Sequence, residues 1–247
     1  MKILVCISKT PDTTAKIAFT DNNTKFVQDG VQWIINPYDE WYALVRAIEI
    51  KEKDPASVIH LVTVGGADAE PIIRKALALG GDEAFRVNKD PQDSYDVAAQ
   101  IAAIASQNSY DLILTGKETI DYNNSSTGGM VAAILDLPFI SLATKLDLAG
   151  NTATLNREIE GGEETLEVSL PIVVSCQKGM AEARIPNMRG IMAARTKPLK
   201  VIEPVANEVK AEVVRYELPP AKAGVKLVPA DNPEELIRLL HEEAKMI

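Results

Sequence analysis

The sequence predicts a mostly parallel, doubly wound α/β sheet, extended by antiparallel strands and followed by a C-terminal arm. Three observations carry that expectation. Short apolar runs of β-branched character (ILVCIS, SVIHLVTV and LILTG) suit strands buried on both faces. Helical segments with start signals separate these runs, as crossover units require. After Pro138 the alternation stops, and the segment ATLNREIEGGEETLEVSLPIVVSC reads as two antiparallel strands joined by Glu160-Gly161-Gly162-Glu163.

Taken in order, Ile3 to Ser8 is the first buried strand, followed by the loop Thr10-Pro11-Asp12. The stretch IAFTDNNTKFV predicts a surface hairpin around Asp21-Asn22-Asn23. Asn36 as N-cap, Pro37 at the first helical position and the acids Asp39 and Glu40 predict a helix to about Lys53. A strand ending at Gly65-Gly66 comes next, then a helix capped by Asp68 and stopped by Gly80-Gly81. Ala84 to Val87 reads as a short strand and Tyr95 to Ser106 as an Ala-rich helix. Leu112 to Gly116 is a third buried strand, and Thr127 to Leu135 another helix. From about Pro198 the chain lacks clear periodicity. It finishes with the cap Asn232-Pro233-Glu234-Glu235, with Leu236, Leu239 and Leu240 at helical spacing. The expected division is an α/β domain over residues 1–198 and an arm over 199–247, whose apolar stripe must be buried on its own domain or on a partner.

Composition narrows the function classes. The 247 residues suffice for one sizeable core. A net charge of −9 argues against a nucleic-acid partner, which requires an excess of Lys and Arg. The two cysteines, Cys6 and Cys176, lie far apart inside apolar runs and read as buried free thiols. Two histidines give a metal site or a Ser-His-Asp triad little to draw on. No apolar stretch approaches the ~20 residues that span a bilayer, and the chain opens on a strand, so a cytoplasmic protein without membrane insertion is expected.

The most informative segment runs from Gly116 to Gly129 (GKETIDYNNSSTGG). It follows an apolar strand and leads into a helix. Ser125, Ser126, Thr127 and Gly128 therefore fall where the first helical N–H groups lack partners, a ready place for a phosphate. Ordinary capping by Ser or Thr accounts for the same residues, and no GxGxxG or Walker pattern is present. Cys6, Val62, Val64 and Gly65 lie near carboxyl ends of parallel strands, where α/β sheets hold ligands, although each singly reads as core. Asp12, Asp39, Asp121 and Glu118 show no acid–base spacing and read as solvated. Farther on, Arg184, Arg189, Arg195 and Lys197 interleave with Ile185, Met188, Ile191 and Met192, which suits either an adaptable protein-binding surface or a core helix with a basic face.

In order and spacing these segments resemble the beta subunit of electron-transfer flavoproteins over essentially the whole chain. The resemblance is carried by ILVCISKTPD, VQWIINPYDEWYALVRAIEIKEK, RKALALGGDEAFRV, LILTGKETIDYNNSSTGG, NREIEGGEETLEVSLPIVVSC and ARIPNMRGIMAARTKPL. It implies an adenine-nucleotide alpha-hydrolase-like fold and an electron carrier with no substrate chemistry of its own. It further implies AMP in this chain and a larger alpha subunit holding most of a FAD. Cys6, Asn36, Val62 and Val64 would line the adenosine, Thr119, Asp121 and Tyr122 would flank it, and Ser125, Ser126, Thr127 and Gly128 would hold the phosphate. Tyr38 would lie near the flavin. Residues about 180–197, among them Arg184, Ile185, Met188, Arg189 and Ile191, would dock acyl-CoA dehydrogenases or similar donors of fatty-acid oxidation, with a quinone reductase as acceptor. The arm would wrap the alpha subunit. The sequence departs from the family at Thr13, at Met188 (more usually Leu) and at Tyr122-Asn123-Asn124. A bifurcating branch with a second FAD, and a stand-alone nucleotide-binding protein, are the alternatives. The absence of that branch's Val and Pro from Asn124 to Gly129 favours AMP over the second FAD.

Overall fold

A computed structural model describes residues 1–222 and 224–247. The elements follow in chain order. Strand β1 (Lys2–Cys6), β2 (Lys9–Pro11), the hairpin β3 (Phe19–Thr20) and β4 (Lys25–Phe26), and β5 (Trp33–Ile35) lead to helix α1 (Asp39–Lys53). Next come β6 (Val58–Val64), a 3-10 turn at Ala67–Ala69, α2 (Glu70–Leu79), β7 (Glu83–Val87), α3 (Ser94–Ser106), β8 (Leu112–Gly116) and α4 (Thr127–Leu135). Then follow β9 (Phe139–Ala149), β10 (Thr152–Ile159), β11 (Gly162–Ser169), β12 (Ile172–Cys176), α5 (Met188–Ala194), β13 (Leu199–Ile202) and α6 (Pro233–Arg238).

Nine strands form one sheet in the order β11-β10-β9-β12-β8-β1-β6-β7-β13. Pairing is parallel from β9 to β13 and antiparallel between β9, β10 and β11. The pleat sends alternate residues of β1 to opposite faces. Ile3 and Val5 join Leu44, Leu61 and Leu77 in the core under α1 and α2. Leu4 and Cys6 join Val62, Ile101, Ile113 and Val131 under α3 and α4. Each such fully buried aliphatic side chain stabilises the fold by roughly 1.5–3 kcal/mol. That two-sided burial is why these strands read as continuous apolar runs.

Several local expectations are corrected. Asn36 does not cap α1, which starts three residues later at Asp39 after Tyr38 takes a φ of 65°. Its amide is committed elsewhere, as described below. Asp68 sits inside the 3-10 turn and pairs with Lys9 instead of capping α2. The segment from Ala153 to Cys176 holds three strands in place of two, β10, β11 and β12, and β9 precedes them. β11 ends at Ser169, before Leu170-Pro171, and β12 is a separate, wholly buried strand parallel to β8 and β9. The change from the alternating exposure of β11 to the continuous burial of β12 marks the return from the antiparallel extension to the parallel centre.

The boundary of the arm also moves. Leu199–Ile202 pairs with β7, Val205 N–H donates to Gln100 at 2.8 Å, and Asp93 accepts from the N–H groups of Lys210 and Ala211. Residues 1–16 and 27–214 accordingly make one compact unit, and residues 17–26 with 215–247 a second. Within the second, Phe19 stacks on Tyr216 with ring centroids 4.9 Å apart, and Tyr216 N–H donates to Asn23 O at 2.7 Å. The expected hairpin is present, its turn residues Asp21, Asn22 and Asn23 all at positive φ. The terminal helix has its expected cap, with Asn232 accepting from Glu235 N–H, and continues as a π turn over Leu239–Glu243.

Candidate functional site

The sheet reverses its strand order at β1, which has β6 on one side and β8 on the other. In open α/β sheets a crevice forms at the carboxyl ends of the strands flanking such a switch point. Here those ends are Cys6 and Gly116, and the chain beyond them is organised by two buried polar groups.

The first is Glu40 in the opening turn of α1. Its carboxylate accepts the backbone N–H of Ser8 at 2.5 Å and the Ser8 hydroxyl at 2.6 Å. Burial pushes this carboxyl up to about 8; the Ser8 hydrogen bonds oppose the rise, and the negative charges of Asp121 and Asp39 add to it. Gly116 allows the helix this close, since a Cβ there would lie 2.8 Å from Glu40 Cγ and 3.1 Å from Glu40 N. Burial also raises Asp39, against the attraction of Lys117. The second group is Asn36, wholly buried. Its Nδ2 donates to Glu118 O at 2.8 Å and its Oδ1 accepts from Ile120 N–H at 3.1 Å, tying the start of α1 to the loop after β8.

That loop is exposed and tightly bent. Lys117 pairs with Glu118 at 2.9 Å, Ser125 Oγ donates to Glu118 at 2.8 Å, and Asn123 N–H donates to Thr119 O at 2.9 Å. Asn123 and Ser125 adopt φ of 49° and 48°. The loop delivers Ser126 and Thr127 to the start of α4, where the N-cap residue Ser126 makes no side-chain cap hydrogen bond. Ser126 therefore does not cap α4 through its side chain, and the first helical N–H groups gain no partner from it. Gly128, at the second position of α4, also has a packing task. A Cβ there would meet Thr115 Oγ1 at 2.7 Å and the Phe139 ring at 3.1 Å, so the glycine lets α4 sit down on β8 and β9.

The structure thus brings Asn36, Thr119, Asp121, Tyr122, Ser125, Ser126 and Thr127 to one end of the sheet. Cys6 and Val62 lie just beneath, in the core, and Val64 is half-buried at the rim. Burial raises both cysteine thiols far above their usual range, which leaves them unreactive. Tyr38 is exposed, beside Tyr42. Glu40 and Ser8 were legible only as a first-turn acid and a strand end; no local signal marked them as a pair.

A second feature lies away from this mouth. Ile185, Met188, Ile191 and Met192 are exposed along the loop and α5, as is Arg189. Arg184 is half-buried and tied to α1. Its guanidinium forks onto Glu52 at 2.7 and 3.1 Å, lies 3.6 Å from Glu49, and its carbonyl accepts Trp41 Nε1–H at 3.0 Å. Among the described residues there is no cluster of metal-ligating side chains, and no helix is long and apolar enough to cross a membrane.

Fold and site together define a class: a doubly wound α/β protein with a ligand crevice at the β1/β8 switch point. The profile of the electron transfer flavoprotein domain matches residues 23–207. The electron transfer flavoprotein subunit beta of Bacillus subtilis is 38% identical over 261 residues, covering 100% of each chain. That of Syntrophomonas wolfei is 40% identical over 247 residues, covering 99% of this chain and 96% of its own. The human subunit beta is 34% identical over 252 residues, covering 98% and 97%. This chain belongs to the electron transfer flavoprotein family, as a beta subunit.

Proposed function

We propose that the chain holds AMP at the β1/β8 crevice and works as an electron carrier only with a larger alpha subunit. The phosphate would rest on the start of α4, held by Ser125, Ser126, the Thr127 hydroxyl and Gly128, with the adenosine over Val64 and the Thr119-Asp121-Tyr122 turn, which Asn36 holds from beneath. Cys6 and Val62 would form the floor. FAD, bound mainly in the alpha subunit with Tyr38 at its edge, would supply the redox chemistry. Because electrons pass by proximity, the chain needs no acid or base of its own, and its residues bind, orient and dock. Acyl-CoA dehydrogenase-type donors would meet Met188 and its neighbours, with a quinone reductase accepting the electrons, all within the cytoplasm.

The observation that carries this reading is the uncapped start of α4 beside the switch point, fed by a loop whose own polar groups are tied to Glu118 and Asn36. The partner reading draws on the exposure of Val209, Val213, Val214, Leu218, Val225 and Leu227, six large apolar residues that follow β13.

The test is acid extraction of the co-purified heterodimer, with mass identification of the released nucleotides. One AMP and one FAD per complex are expected. A second stoichiometric FAD would move the protein to the bifurcating branch, and no adenine nucleotide besides the first FAD would sink the AMP site. Size exclusion of the chain co-expressed with a candidate alpha subunit checks the pairing; elution as a monomer would point to a stand-alone nucleotide-binding protein.

A further inference from the structure

The exposed apolar face of α5 is built in part from two thioethers. Met188 and Met192 stand four residues apart, on one side of the helix, and are 72% and 56% exposed. Ile185 and Ile191 flank them and are chemically inert. Met180, eight residues before Met188, is 4% exposed and belongs to the core. The helix cannot turn to hide its sulfur atoms. Asn187 Oδ1 accepts Gly190 N–H at 2.8 Å, and Gly190 sits so tightly on the Ala78 carbonyl that a Cβ would come within 2.3 Å of its oxygen.

We propose that Met188 and Met192 form a peroxide-sensitive pair whose oxidation uncouples this face from its redox partner. A thioether lone pair attacks one peroxide oxygen, the O–O bond breaks and a sulfur–oxygen bond forms. The sulfur loses two electrons, while the departing hydroxide takes the proton of the transferred hydroxyl and leaves as water. The product is a polar, chiral sulfoxide in place of a flexible apolar side chain, so the patch loses the character that let it fill an apolar socket. Methionine sulfoxide reductases of both stereochemical types would reverse the change. The inference rests on the reading of α5 as the donor-docking face.

The experiment uses the intact heterodimer treated with hydrogen peroxide. Peptide mass spectrometry locates the sulfoxides, and flavin reduction is followed with a substrate-reduced acyl-CoA dehydrogenase and, separately, with dithionite. Met188 and Met192 should oxidise before Met180. The KM for the dehydrogenase should rise roughly five- to thirtyfold, the loss expected when a central apolar contact is removed. Dithionite reduction should not change, and combined reductase treatment should restore the KM. A Met188→Leu/Met192→Leu complex should keep its own untreated KM after peroxide. Full conversion of both residues with an unmoved KM would overturn the proposal, as would oxidation of Met180 in step with them. An untreated Met188→Glu complex separates the two levels. If it raises the KM while the sulfoxides do not, only the oxidation proposal fails. If it leaves the KM unmoved, the docking reading fails and the proposal with it.

Discussion

The carboxyl group of Glu40 takes both hydrogen bonds that Ser8 can donate, one from its backbone and one from its side chain. This pair joins the first turn of α1 to the end of β1, directly behind the crevice at the switch point. A carboxyl this buried favours its neutral form, and its value of about 8 lies well above the usual 4.5.

A pH dependence follows from the sign of that shift. Between about 4.5 and about 8 the folded protein holds a proton that the unfolded chain has released. The contribution is fully present below the unfolded value and is lost as pH rises through the folded one, by up to about 1.4 kcal/mol per pH unit. Urea denaturation across this window should show that decline, and Glu40→Gln, which keeps an acceptor for Ser8, should flatten it. An unchanged slope in the variant would assign the effect to other groups.

Asn36 offers a second test, because both ends of its amide are used inside the protein. Asn36→Ala strands the Glu118 carbonyl and the Ile120 N–H near the loop that shapes the crevice. Leaving such buried groups unpaired should cost about 2–3 kcal/mol. The co-purified nucleotide should also fall, since the loop loses its tie to α1. Asn36→Asp keeps the acceptor for Ile120 but not the donor to Glu118, and adds a charge near Glu40 and Asp39, so it should do no better. Full stability and nucleotide content in Asn36→Ala would refute the tie.

These two residues show where the sequence was transparent and where it was not. Strands β1, β6 and β8 could be read from apolar runs because each is buried on both faces. The bounds of α4 followed from the polar loop before Thr127 and the apolar run to Leu135. The turn at Asp21-Asn22-Asn23 was legible because those residue types tolerate positive φ. Asn36 misled because Asn-Pro is a strong helix-start signal, while its real partners lie more than 80 residues away. β12 was fused with β11 because the two lie only two residues apart; the local signals, Pro171 and the change from alternation to a continuous apolar run, mark the break, while β13 was hidden in a segment whose exposed residues blur its pattern. For the candidate site, the loop and the start of α4 were visible in order and spacing. The Glu40–Ser8 pair was not, because it depends on how closely α1 approaches β8 at Gly116.

Arg184 separates anchoring from contact. Its fork onto Glu52 and its nearness to Glu49, itself bonded to Arg46, hold the loop before α5 against α1. The pair is partly exposed, so Arg184→Ala should change global stability by less than about 1 kcal/mol. The loop should nevertheless loosen. Donor KM should rise while the limiting rate of flavin reduction stays within about twofold, since a docking interaction of this kind is lost equally from ground and transition states. A Glu52→Arg/Arg184→Glu exchange should recover part of the effect if the ion pair is the cause. A fall in the limiting rate alone would place Arg184 elsewhere in the mechanism.

Gly190 gives the most direct test of how α5 is seated. In most exposed helices, Gly→Ala stabilises by up to about 1 kcal/mol, because alanine is the better helix former. Here the added carbon would lie 2.3 Å from the Ala78 carbonyl oxygen, which is backbone and cannot rotate away. Helix α5 must therefore lift from α2, although Arg74, donating to Ala194 O and Lys197 O, still holds the segment that follows. Gly190→Ala should cost about 1–3 kcal/mol, as overpacking does. It should also raise hydrogen exchange at Met188–Ala194 and increase donor KM by presenting the apolar face at the wrong height. Gly162→Ala, with nothing within 4 Å of the added carbon, is the matched comparison and should stay within about 0.5 kcal/mol of the parent. If Gly190→Ala proves as stable as Gly162→Ala, with α5 equally protected, then the two helices are not in the close contact that fixes the docking face.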